Sequence, residues 1–238
     1  MRPRRSSVRF SISAIPVAVA ALLASSSGAS AQSSTDGALF LLLPVGAQTV
    51  GMAQAAVAER LGSEAVWSNP SGIARLEKKE VAIHHSETIA ARGDVITLVA
   101  PVKHLGAFAL SVNLLDFGNQ QITDPGGTPI GLVLPRNVLL AGTFGAALGR
   151  YISLGMSYKR LQYRVDCSGQ CANVPTFKAT SSAVDFGAQY DVPGDSSVRL
   201  GASVRNIGTK LQVNDREQAD PLPTRIEVGA SWKIKMIA

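Results

Sequence analysis

The chain has 238 residues, a formal charge of +6, 17% charged residues and only 5% aromatics. Four of the six excess positive charges are Arg2, Arg4, Arg5 and Arg9, with no acid beside them, so the remainder carries +2. With no basic stripe interleaved with aromatics, this balance argues against nucleic acid as a partner.

The first elements in chain order form an export leader. The four arginines supply a basic start, Phe10 to Ala24 an apolar run containing Pro16, and Ala29-Ser30-Ala31 a small-residue cleavage site. The run is shorter than the roughly 20 residues a spanning helix needs. Residues 1–31 therefore read as a signal peptide removed near Ala31. No later run is long and apolar enough for a membrane helix, since Leu39 to Val45 is short and carries Pro44. An exported chain without such a helix is periplasmic, secreted, or a closed β-barrel, the other fold that satisfies its backbone in lipid.

Residues 32–78 read as a hatch segment. Gly46 to Val81 begins as a helical stretch of small residues, breaks at Trp67-Ser68-Asn69-Pro70-Ser71-Gly72, and leads into alternating sequence. Asn caps a helix start, Pro suits the first helical position, and Gly permits close backbone approach. Trp67, Asn69, Pro70 and Gly72 are thus candidates for a gating element, with structural punctuation as the simpler reading. The segment is expected to sit as a plug at the mouth of a barrel, on the side of the short turns.

Residues 79–238 have a period of two. In the last strand Ile226, Val228, Ala230, Trp232, Ile234 and Met236 alternate with Arg225, Glu227, Gly229, Ser231, Lys233 and Lys235. Similar alternation runs through residues 151–158, 183–190 and 198–205. Eight strands are predicted, near 79–85, 93–101, 104–115, 137–149, 151–164, 180–190, 197–206 and 224–236. Their joins are read as alternately long and short, starting with a long join over Ser86–Arg92. Strands of about ten residues, polar faces rich in Gly, Ser and Ala, and sorted loops favour a transmembrane antiparallel β-barrel over a sandwich. Tyr151, Tyr163, Tyr190 and Trp232 fall near strand ends, where interfacial aromatics collect.

Within these strands Lys159, Asp185, Arg199, Arg205, Arg225 and Glu227 are expected on the interior face. There they either line a polar conduit or pair across neighbouring strands. Cys167 and Cys171 are too isolated from other ligands for zinc and lack C-x-x-C spacing, so a disulfide across an external loop is expected. His84 and His85 point to opposite faces of a strand and His104 stands alone, so no metal is expected. No nucleophile elbow, phosphate loop or spaced carboxylate pair occurs. The chain is therefore expected to be non-enzymatic and to use no cofactor.

Three segments together resemble the PorV/PorQ family of outer-membrane proteins, relatives of FadL-type barrels. They are Gly46-Ala47 through Gly51-Met52 into Ala53–Ala58, then Val66-Trp67-Ser68-Asn69-Pro70-Ser71-Gly72-Ile73. The third is Leu200–Gly208 followed by Leu222-Pro223-Thr224-Arg225-Ile226-Glu227-Val228-Gly229-Ala230. The chain departs from that pattern at Arg60-Leu61-Gly62-Ser63-Glu64, where the family has an acidic pair. The resemblance implies an incomplete FadL-like barrel with an N-terminal hatch, on a chain expected to be a fragment of a longer one. It also implies placement in the outer membrane of a Gram-negative-type bacterium, in contact with its lipid. Two roles follow: type IX secretion through partner proteins, or transport of a hydrophobic ligand. A secreted β-rich adhesion module is the reading from a different class.

Overall fold

The computed structural model describes residues 36–88, 91–171, 176–194, 197–212 and 219–233. The leader read over residues 1–31, and the strand residues 234–236, lie outside them. A nine-stranded antiparallel sheet and two short paired segments make up most of the regular structure among the described residues.

The main sheet contains β1 (Glu80–Glu87), β2 (Arg92–Val102), β3 (Gly106–Asp116), β4 (Gln120–Thr123), β5 (Pro129–Leu148), β6 (Ile152–Gly169), β7 (Phe177–Asp191), β8 (Val198–Gly208) and β11 (Arg225–Trp232). β9 (Leu211–Gln212) and β10 (Ala219–Asp220) pair separately. The order β1-β2-β3-β5-β6-β7-β8-β11 is a simple meander, with β4 folded back on β5. All eight predicted strands are present and the protein is all-β. Among the described residues the sheet is open: β1 and β11 each pair with one neighbour and not with each other.

Some boundaries differ from the periodicity. The join predicted from Asp116 to Arg136 is largely structured, because β5 starts at Pro129 and stays paired with β6 as far as Gly131 and Gly169. The apolar alternation fades there, with Gly126, Gly127, Pro129, Gly131 and Pro135 interrupting it, so only the pairing reveals the hairpin. Conversely, β1 runs to Glu87 and β2 starts at Arg92, leaving a tight connection rather than a long one. Thr88 closes it by exchanging hydrogen bonds with Ala91.

The sheet is inverted in polarity. On one face Ile96, Leu98, Phe108, Leu110, Leu140, Leu154, Met156, Phe186 and Leu200 are exposed. They form a continuous apolar band, with Phe108 and Phe144 in ring contact at 4.7 Å. On the other face Thr97, Ser111, Thr143, Ser153, Ser157, Lys159, Ser181, Asp185, Gln189, Arg199, Ser203 and Arg205 are buried. A water-facing sheet is patterned the opposite way.

The N-terminal segment covers that polar face. It contains short helical turns at Leu39–Leu42, Ala47–Gly51, Gly62–Glu64, Ala65–Ser68 and Pro70–Ile73. The helical stretch expected to run from Gly46 to the break at Trp67 stops at Gly51, because Ala53 and Gln54 adopt left-handed backbone angles of 51° and 67° in φ. Nor is the segment confined to the short-turn end. The Gly37 N–H donates to Pro221 O beside the long connection, and the Arg75 guanidinium donates to Gly149 and Ile152 carbonyls at the opposite end. Ser63 contacts β1 through Glu80, and Ser231 of β11 donates to Ala58 O, so the wall curves round the segment from edge to edge.

A row of small residues lets this segment approach closely. Gly145, Gly155 and Gly187 are directly opposite one another across β5, β6 and β7. A Cβ on Gly155 would lie 2.3 Å from Pro70 C, and one on Gly187 would lie 1.9 Å from Asn69 Oδ1. Gly187→Ala is therefore expected to destabilise the fold by about 1–3 kcal/mol, the usual cost of overpacking a filled interior. Urea unfolding followed by tryptophan fluorescence measures the loss; Gly142→Ala, where a Cβ meets nothing within 4 Å, is the control for the gain in strand propensity.

Candidate functional site

The densest polar constellation lies where residues 57–69 meet β6, β7, β8 and β11. Residues 57–61 lie outside helix and strand, and Trp67 is in the last turn of the short helix Ala65–Ser68, so the carbonyls of both need partners from elsewhere. Asn69 is wholly buried and supplies the first of them. Its Nδ2 donates to Val57 O at 2.7 Å and to Ala188 O and Ala202 O at 3.3 Å, while Oδ1 accepts from Ser71 N and Ser71 Oγ. Asn69 thus caps the turn Pro70–Ile73, with Pro70 at its start, and also ties together two wall strands and the plug. Gly72 is packed against Ala65 and Glu59 O.

Wall side chains supply the remaining donors. Gln189 Nε2 donates to Glu59 O at 2.9 Å, Arg199 Nη1 to Ala58 O at 3.2 Å, and Arg205 Nη1 to Trp67 O at 2.6 Å. Each cation also has a carboxylate: Arg199 Nε lies 2.9 Å from Asp191 Oδ1, and Arg205 Nη2 lies 3.0 Å from Glu227 Oε2. Asp191 is shared with Arg60 of the plug at 2.5 Å. Partial burial lowers the Arg60 pKa, and the Asp191 carboxylate opposes that shift.

Lys159 and Asp185 form a second group, 2% and 0% exposed, with Nζ to Oδ2 at 2.5 Å. Lys159 Nζ also donates to Asn206 Oδ1 at 3.0 Å, and Asn206 N–H donates to Asp185 Oδ1 at 2.8 Å. The Asn206 amide reaches Pro223 O, and its backbone is left-handed (φ 61°), beside the register shift at Val184/Phe186. The network thus holds together three wall strands and the turn before β11.

The six predicted interior residues behave as pairs more than as a conduit. Lys159 meets Asp185, Arg205 meets Glu227, and Arg225 meets Glu227 at 3.0 Å in the same strand. Arg225 stands apart because 41% of its side chain is exposed on the open edge. Cys167 and Cys171 form a disulfide beside Gly131 at the end of the long β5–β6 hairpin. His84 faces the plug while His85 is on the outer face, 2.7 Å from Asp94. Among the described residues no three His, Cys, Asp or Glu side chains are grouped to hold a metal.

Pattern reading missed several residues. Glu64 is buried and accepts from Thr49 N–H and Oγ1 at 2.9 and 3.0 Å, anchoring the turn Ala47–Gly51. Gln189 and Asp191 are on the same alternate face as Asp185, which is the signal that could have found them; alternation puts Asn206 on the outer face with Leu200, and it turns inward only at the register shift, with its left-handed backbone. A cavity of about 350 Å³ separates the plug from β1–β3, lined by Phe40, Leu43, Val50, His84, Val95 and Leu115. No protein-family model matches this chain, and no curated protein is a significant match.

Two substitutions separate the groups. Asp185→Ala strands a buried ammonium and is expected to cost about 3–5 kcal/mol, whereas Lys159→Met with Asp185→Leu recovers most of it. Asn69→Ala removes the amide that joins β7, β8 and the plug and leaves buried carbonyls unpaired, at about 1–3 kcal/mol. Denaturant midpoints for the single and double variants measure both.

Proposed function

We propose that this protein is a non-enzymatic outer-membrane β-barrel component of the PorV/PorQ type, whose exposed face meets lipid and whose N-terminal segment plugs the interior. The observation that carries the reading is the inverted polarity of the sheet, with ionised residues buried against the plug and aliphatic residues exposed outside. An apolar outer wall with a polar interior is the pattern of a membrane barrel. A secreted adhesion module would bury those aliphatic faces. Three of the four aromatic positions agree, with Tyr151, Tyr190 and Trp232 exposed near the short-turn end of the band, whereas Tyr163 is within β6 and packs against the core.

A structural or partner-binding role in type IX secretion rests on the three resembling segments and on a plug that is hydrogen-bonded at many points to the wall. A second reading, transport of a hydrophobic small molecule, is favoured by the cavity of about 350 Å³ between Phe40, Val50 and Leu115. Such a pocket suits an apolar ligand with few polar contacts.

The test is location and behaviour in cells. The full chain should fractionate with the outer membrane and show heat-modifiable mobility. Recovery as a soluble periplasmic protein overturns the membrane reading. Leu110→Arg, in the middle of the exposed band, is expected to weaken insertion into vesicles by about 2–4 kcal/mol if that band crosses a bilayer.

A further inference from the structure

The apolar band ends on the long-loop side in a line of charge. Glu87, Arg92, Asp116, Arg136, Arg164 and Lys178 are each directly opposite the next, across β1, β2, β3, β5, β6 and β7. Over the first four positions the signs alternate, and ion pairs form: Arg92 with Glu87 at 3.0 Å and Arg136 with Asp116 at 3.1 Å. The alternation then fails. Arg136, Arg164 and Lys178 are three cations in a row, and like charges facing one another across strands repel.

Nearby groups neutralise only part of this charge. Asp166 pairs with Arg164 at 2.8 Å. Among the described residues no carboxylate lies within ion-pair distance of Lys178 or Arg160. Arg160 is on the same face and donates upward to Ser182 Oγ at 2.9 Å and Thr180 Oγ1 at 3.2 Å. Its guanidinium therefore leaves the aliphatic band and reaches toward the cationic rim, while its stem lies beside Leu140 and Tyr158. The result is an exposed set of donors (Arg160, Arg164, Lys178 and the Thr180 hydroxyl) directly above an exposed apolar surface.

We propose that this corner of the outer face binds the phosphate headgroup of an anionic membrane lipid, with the acyl chains lying down the band along Leu140, Tyr158 and Met156. The inference depends on the membrane reading above. Charge complementarity selects the headgroup: guanidinium and ammonium groups form charge-assisted hydrogen bonds with phosphate oxygens. The apolar surface immediately below selects a lipid over a free anion. The remainder of the same charged row, already paired with carboxylates, serves as an internal control.

The full chain, purified in a non-ionic detergent, is offered phosphatidic acid or the matching diacylglycerol, and retained lipid is counted by native mass spectrometry. Wild type should retain phosphatidic acid over diacylglycerol by about 30- to 150-fold, as two to three surface cations imply. Arg160→Gln with Arg164→Gln and Lys178→Gln should abolish that preference, and Arg92→Gln should keep it. Equal retention by wild type and the triple variant overturns the proposal, as does displacement by inorganic phosphate at the lipid's own concentration. Insertion into uncharged vesicles is measured in parallel: wild type that does not insert sinks the membrane reading itself, whereas insertion without phosphate preference sinks the lipid site alone. Heat-modifiable mobility of the triple variant shows that it folds.

Discussion

The irregular stretch 57–61 and the end of the short helix Ala65–Ser68 leave carbonyls without local partners, and everything around them answers that need. Gln189, Arg199 and Arg205 extend from the wall to Glu59, Ala58 and Trp67, and Asn69 turns back to Val57. These donors are long or charged, so they must be buried, and burial in turn requires carboxylates beside them. Asp191 and Glu227 follow from the same demand. Unpaired, any of these ions would cost several kcal/mol. Arg199, Arg205 and the carboxylates beside them are thus consequences of an irregular plug.

The close approach is steric as well as polar. Gly145, Gly155 and Gly187 form a floor against which Pro70, Ser71 and Asn69 rest, and a single methyl group at either of the last two would collide with backbone or amide. Hydrogen bonds to wall carbonyls, as at Ala188 and Ala202, are attainable only because that floor is flat. Packing and hydrogen bonding here are one arrangement, not two independent contributions.

Much of the wall was legible from alternation. All eight main strands, the polar covered face and the Cys167–Cys171 bridge follow from periodicity and spacing. The β5–β6 hairpin beyond residues 137 and 164 was not legible, because Pro129, Pro135 and three glycines erase the period while cross-strand pairing persists. The plug was legible as a break at Asn69-Pro70, but its path was not. Left-handed angles at Ala53 and Gln54 end the helix where local propensity favours continuation, and the irregular chain after them offers carbonyls to Arg199 and Gln189. Glu64 was invisible for a related reason: its partner Thr49 is set by the turn of the plug, not by sequence spacing. The glycine floor was visible only as composition; its alignment requires strand register.

The ties that hold Asn69 also constrain the order in which the molecule can assemble. Its amide meets Ala188 and Ala202, which follow it by 119 and 133 positions. Closing loops of that length comes late, after the local hairpins have formed. The segment synthesised before the strands therefore has no seat until β7 and β8 stand side by side. Until then its apolar residues, Val66, Trp67 and Ile73 among them, lack the surroundings that bury them at the end. The first-made part of the fold is among the last to settle, and the half-built wall is the state in which this chain is most open to aggregation.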